Sequence, residues 1–298
     1  MNSASSNARG IVAIVLATGS FVVCDTFMKL TTAALPPFEV LFLRGVFATL
    51  CCGGLLLALG QGRVALRGFV WTSVLRASFE TAAVLCYIVA LAGMPIADVI
   101  AIVQTAPLFL ILLAATIFRE RIGPMRIGLI VVGFVGALLV AQPNAGGFSA
   151  TALLAFACAI GTALRDITSR SVPAAIPALA VTFAIVVIVM VASGVAMLLT
   201  EDVVMPSGRH ALYLLGAGFF VTAGHFGIFL AYRFGAPGVI APFFYSFAVW
   251  AVLSGIIVFR EIPNPLALAG IAAIVASGLA IVLLDRRKTL AAAVPIPE

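Results

Sequence analysis

Apolar residues run along this chain in ten long stretches, at 11–30, 36–59, 68–92, 96–118, 124–141, 149–170, 176–199, 210–233, 237–259 and 264–284; 16 of the 28 charged residues lie outside them. Each stretch is close to or above the roughly 20 residues that carry a helix across about 30 Å of hydrocarbon. They are too long and too continuously apolar for outer-membrane strands, which alternate apolar and polar positions over about ten residues. The pattern predicts an all-α integral membrane protein with ten transmembrane helices.

Composition agrees: 63% of the 298 residues are hydrophobic and 9% are charged, more apolar surface than a soluble domain of this size hides. All five cysteines, Cys24, Cys51, Cys52, Cys86 and Cys158, fall inside apolar stretches, and their odd number reads as small apolar filler, not a disulfide framework. The first stretch lacks a small-residue cleavage site, which predicts insertion without removal of a leader. The net charge of +6 reports orientation, not nucleic-acid binding. With the N-terminus in the cytoplasm, Arg9, Arg63, Arg67, Arg119, Arg121, Arg126, Arg165, Arg170, Arg233, Arg286, Arg287 and Lys288 lie inside, against Lys29, Arg209 and Arg260 outside, twelve to three. The positive-inside rule then sets both termini in the cytoplasm, with the chain in the inner (plasma) membrane. Arg44 and Arg76 are left within spans.

The chain also repeats itself at an offset of 141 residues: Asp25 falls on Asp166, Lys29 on Arg170, Pro36 on Pro177, Thr81 on Thr222, and Phe118, Arg119, Glu120 on Phe259, Arg260, Glu261. Residues 10–144 and 151–285 thus form two five-span copies, followed by a cytoplasmic tail, 286–298. An odd number of spans makes the second copy enter from the opposite side, so the repeats are predicted to be inverted. Such repeats give a carrier two near-equivalent packings around a midplane site. Ten spans, short loops and the doubled Phe-Arg-Glu signature resemble the drug/metabolite transporter superfamily, EamA type, and within it the YddG-type exporters of aromatic amino acids. That resemblance implies a non-enzymatic exporter of small amphipathic metabolites working by alternating access. The expected partners are the small-molecule substrate and lipid, with protons as the candidate coupling ion; no nucleic acid, metal or cofactor is expected.

Asp25 and Lys29 stand one helical turn apart, and Asp166 and Arg170 repeat the arrangement in the second copy. The assigned topology groups Asp25 and Lys29 with Arg260 and Glu261 outside, and Asp166 and Arg170 with Arg119 and Glu120 inside. This predicts two ionic latches that alternate with access; the competing reading is interfacial anchoring by snorkelling. Arg76 and Glu80 permit mutual neutralisation, with Glu80 also a candidate coupling carboxyl. Arg44 suits a substrate carboxylate, but Glu39, five residues earlier, is its expected structural partner.

The matched midspan positions Gln104 with Tyr245, Thr105 with Ser246 and Phe109 with Trp250 place polar and aromatic groups where the halves meet. A cavity lined by Glu80, Tyr87, Gln104, Thr105, His225, Phe244, Tyr245 and Trp250 would suit a ring-bearing, zwitterionic cargo. His225 reads equally as a histidine satisfied by a neighbouring helix. Tyr87, Tyr232 and Tyr245 each need a polar partner in lipid. Pro107, Pro242 and the pair Gly224 and Gly227 are expected bends. Gly128, Gly133, Gly136, Gly270 and Gly278 are expected close-packing positions. Two histidines and no H-E-x-x-H spacing argue against an intramembrane enzyme, no filter-like loop favours a channel, and two midspan arginines are too few for a nucleotide-sugar diphosphate.

Overall fold

The computed structural model describes residues 3–117, 123–142, 148–169, 171–173, 175–234 and 237–292. Its elements are α1 Ser3–Thr32, α2 Pro37–Ala58, a 3-10 helix Gly62–Phe69, α3 Trp71–Gly93, α4 Ile96–Val103, α5 Ala106–Ile117, α6 Pro124–Ala141, α7 Ala150–Ser169, α8 Ala178–Thr200, α9 Gly208–Phe234, α10 Pro237–Ile240, a 3-10 helix Ala241–Tyr245, α11 Ser246–Ser254, a π-helical turn Gly255–Phe259 and α12 Pro265–Ala292. Ten of the resulting segments are long and apolar enough to cross a membrane, and they coincide with the ten predicted stretches. Several begin at or just after proline: Pro37, Pro124 and Pro265 open helices, and Pro95 and Pro177 precede them. Proline suits a first turn, where its missing N–H would find no intrahelical acceptor anyway.

The fourth and ninth spans are interrupted. In the fourth, α4 stops at Val103, Gln104 and Thr105 form a turn, and α5 resumes at Ala106. Pro107 cannot donate to the Val103 carbonyl, so the helix cannot continue unbroken. In the ninth, the 3-10 segment containing Pro242 separates α10 from α11. The interruptions fall at matched positions, since Gln104 and Tyr245 are one repeat offset apart. The helix is not interrupted at the expected bend positions Gly224 and Gly227. The described helix α9 runs through both, and they serve packing: Gly224 lies against Phe21, and a β-carbon on Gly227 would stand 2.9 Å from that of Ala17.

α1 packs along α9 as α3 packs along α7; α2 contacts α9 as α8 contacts α3; α1 meets α11 as α7 meets α5. The remaining large interfaces between spans pair a span with its own counterpart: α2 with α8, α6 with α12 and, through α4 and α11, the fourth span with the ninth. This set of pairs is unchanged when the first five spans are exchanged with the second five. The centre of the bundle is formed by α1, α2, α3 and α9, with Met28, Leu41, Ile88 and Leu214 fully enclosed. Outward-facing leucines such as Leu57, Leu198 and Leu199 are more than 70% exposed, which a bilayer accommodates and water would not.

The α6–α12 crossing depends on backbone contact. A β-carbon on Gly136 would sit 2.8 Å from the Gly270 carbonyl oxygen, and one on Gly270 would sit 2.5 Å from that of Gly136. Gly270→Val is therefore expected to push these helices apart and lower stability by about 1–3 kcal/mol. Gly128→Ala, which meets nothing within 4 Å, should leave the thermal unfolding of detergent-purified protein unchanged. Equal unfolding temperatures for the two variants would refute the close-packing role.

Candidate functional site

Charged groups inside the bundle are spaced along its length, and nearly all have partners on other helices. Near the end of α1, Lys29 Nζ donates to both Glu261 carboxylate oxygens at 2.9 and 3.0 Å and to the Met94 carbonyl at 2.9 Å. It also stands 4.9 Å from the centre of the Phe259 ring. The lysine ties α1 to the α3–α4 turn and to the end of the ninth span. Glu261 is delivered there by the π turn: its N–H donates to the Gly255 carbonyl at 2.9 Å, and Arg260 reverses the chain with a left-handed φ of 57°.

Of the predicted outer latch, then, Lys29 and Glu261 form the direct pair. Asp25 and Arg260 do not join it. The buried Asp25 carboxylate accepts the Tyr87 hydroxyl at 2.8 Å, and Arg260 is exposed. A helix-surface pair such as Asp25 with Lys29 contributes only about 0.2–0.5 kcal/mol, so it yields to a position where one ammonium reaches three acceptors at once.

Toward the other end, Arg165 of α7 donates from Nη1 to Glu80 of α3 at 2.9 Å, and from Nη2 to Asp166 at 2.8 Å. The expected Arg76–Glu80 pair is replaced: Arg76 Nε donates to the Ser169 hydroxyl at 2.7 Å. Arg165, an inside-facing charge in the sequence reading, is thus half-buried in an α3–α7 ion network. The remaining members of the predicted inner latch, Arg119, Glu120 and Arg170, lie outside the described residues, as does the side chain of Tyr232.

Between these ends, Arg44 of α2 approaches Cys24 Sγ at 4.0 Å. The expected Arg44–Glu39 pair is absent. Glu39 Oε2 instead accepts the Val204 N–H, while Glu201 accepts the Phe38 and Glu39 N–H groups, all at 2.9 Å. The start of α2 and the segment after α8 therefore clasp each other through reciprocal carboxylate caps. His225 meets Phe21 edge-on at 5.1 Å between ring centres.

The midspan residues divide. Thr105 is fully buried and returns its hydroxyl to the Ile102 carbonyl at 2.6 Å. Gln104 is buried, and its Nε2 has no hydrogen-bond partner among the described residues. Tyr245 is buried with its hydroxyl end against Gly278. Trp250 donates to the Val15 carbonyl at 3.1 Å and lies over Gly19, so it anchors α11 to α1. Phe244 keeps partial exposure near Phe247.

A hydroxyl seam joins the same helices: Thr18 with Ser246 at 2.8 Å and Thr26 with Ser254 at 2.6 Å. The sequence reading missed it, although Thr18 and Thr26 share the eight-residue spacing of Ser246 and Ser254, which places each pair on one helical face. Glu201 was missed as well, because its partners are backbone amides on another helix.

Residues 8–142 match the model of the EamA-like transporter family. The chain is 28% identical over 276 residues to the pseudopaline exporter CntI of Pseudomonas aeruginosa, covering 91% of this chain and 95% of that protein. It is 26% identical over 220 residues to a riboflavin transporter of Rhizobium johnstonii, covering 74% and 72%. An S-adenosylmethionine uptake transporter of Rickettsia prowazekii is 25% identical over 284 residues, covering 94% of each. A solved crystal structure shares the fold, with a TM-score of 0.66 over 96% of this chain and 99% of its own, at 22% identity. The family match over residues 8–142 and the likeness to these transporters, together with ten helices long and apolar enough to cross a membrane, support a multi-pass membrane transporter of small molecules.

Proposed function

We propose that this multi-pass membrane transporter is a secondary exporter that moves small amphipathic metabolites, aromatic amino acids first among them, by alternating access between two inverted five-helix repeats. The observation that carries the reading is the helix pairing that survives exchange of the halves. Two such halves, each crossing the membrane an odd number of times, would enclose one midplane site that either face can open. The interrupted fourth and ninth spans support it, since α4 meets α11 in the bundle, and irregular backbone at membrane depth is tolerated where it is buried in protein or lines a cavity. Both termini would face the cytoplasm and the chain would reside in the inner membrane. Protons are the proposed coupling ion, since Asp25 and Glu80 are carboxyl groups held within spans.

The relatives named for riboflavin and S-adenosylmethionine favour a second reading, a larger metabolite in the same cavity. Counterflow in proteoliposomes with L-phenylalanine, L-tryptophan, riboflavin and S-adenosylmethionine, with and without a pH gradient, separates the two. Saturable exchange of the amino acids is expected. Exchange of riboflavin or S-adenosylmethionine alone would replace the first reading by the second, and absence of saturable exchange for every compound would defeat both.

A further inference from the structure

We infer that Arg44 is the group that holds the carboxylate of the cargo, an inference that rests on the transport reading for its context but not for its test. Arg44 lies two turns inside α2, within a membrane span. A guanidinium at that depth needs acceptors, because hydrocarbon supplies none. Its five donors have little to bind. Nε is buried with no hydrogen-bond partner among the described residues, and the Nη1 contact to the Cys24 sulfur is 4.0 Å long.

No carboxylate hydrogen-bonds Arg44 among the described residues, although Asp25 lies within electrostatic reach of it. Glu39, 2% exposed, is held in the clasp with Val204. Glu80 and Asp166 are bound by Arg165, and Glu261 by Lys29. Asp25 accepts from Tyr87. A planar fork of donors left open beside the centre of the bundle matches a carboxylate in a bidentate arrangement.

The surroundings suggest the rest of the ligand. Cys24 precedes Asp25, whose carboxyl group accepts the Tyr87 hydroxyl and stands within electrostatic reach of Arg44. Phe21, Tyr87 and Phe247 border the central cluster and offer apolar faces to a ring. A zwitterion bearing an aromatic or other apolar group satisfies all three features at once, with the carboxylate at Arg44 and the ammonium toward Asp25.

Binding to purified protein in nanodiscs, read by thermal shift, tests the assignment with three probes: L-phenylalanine, L-phenylalaninamide and 3-phenylpropionate. Wild type should bind the two carboxylates more tightly than the amide. Arg44→Gln should weaken both carboxylates at least tenfold while changing the amide less than twofold. Arg44→Lys, which keeps the charge, should fall between and serves as the folding control. The assignment is overturned if no carboxylate binds, if the amide binds as tightly as phenylalanine, or if Arg44→Gln keeps its affinity for the carboxylates. Carboxylates that bind through Arg44 yet fail in counterflow would refute the exporter and leave the site standing; counterflow that survives Arg44→Gln would do the reverse.

Discussion

Arg165→Gln is expected to destabilise the folded protein by about 3–5 kcal/mol, the usual consequence of removing one partner from a buried ion pair. The Arg165 and Glu80 side chains are 25% and 17% exposed, whereas Asp166 is 40% exposed. Most of the loss therefore comes from the Glu80 carboxylate, left between α3 and α7 with its guanidinium gone. Arg76, one turn away, spends its Nε on Ser169, and its buried Nη1, without a partner among the described residues, offsets only part of that loss. Removing both charges should be less harmful: Glu80→Gln with Arg165→Gln should recover much of the loss, since two neutral amides can bond each other. Asp166→Asn alone should have a small effect, because that arm is the more exposed of the two. Unfolding curves in detergent for these three variants decide it. A double variant no more stable than Arg165→Gln would show that the arginine acts through packing of its stem and not through Glu80.

Lys29→Glu is expected to shift the protein away from the packing seen here, in which the end of α1 is tied to the end of the ninth span. The substitution breaks charge-assisted bonds to Glu261 and the bond to the Met94 carbonyl, and sets two carboxylates against each other. Bonds of that kind contribute about 1.5–3 kcal/mol, so the ratio of closed to open forms should fall by roughly ten- to hundredfold. Ile96, fully buried beside Gly255, reports on the closure. In a cysteine-free background, Ile96→Cys should react with a membrane-impermeant maleimide faster when Lys29→Glu is present. Combining Lys29→Glu with Glu261→Lys restores opposite charges and should restore protection. Unchanged reactivity would leave Lys29 an interfacial anchor and remove the latch.

Sequence alone determined the elements. Ten helices, their limits to within a few residues, the interruptions near Pro107 and Pro242, and the close glycine contact at Gly136 and Gly270 follow from properties that act locally: span length against bilayer thickness, the donor that proline lacks, and the size of a side chain. The 141-residue register sets Gln104 on Tyr245, and each lies at the interruption of its span. What only the tertiary structure decided was the choice of partners. From one chain direction, Asp25 faces Lys29, Arg76 faces Glu80 and Glu39 stands near Arg44, yet none of these pairs forms: Asp25 bonds Tyr87, Lys29 bonds Glu261, Arg76 bonds Ser169, Glu80 bonds Arg165 and Glu39 accepts a backbone amide. A neighbour on the same helix is worth a few tenths of a kilocalorie per mole. A group in hydrocarbon gains several times more by satisfying all its donors or acceptors, and the atoms that do so lie on other helices, at separations along the chain that no local period encodes.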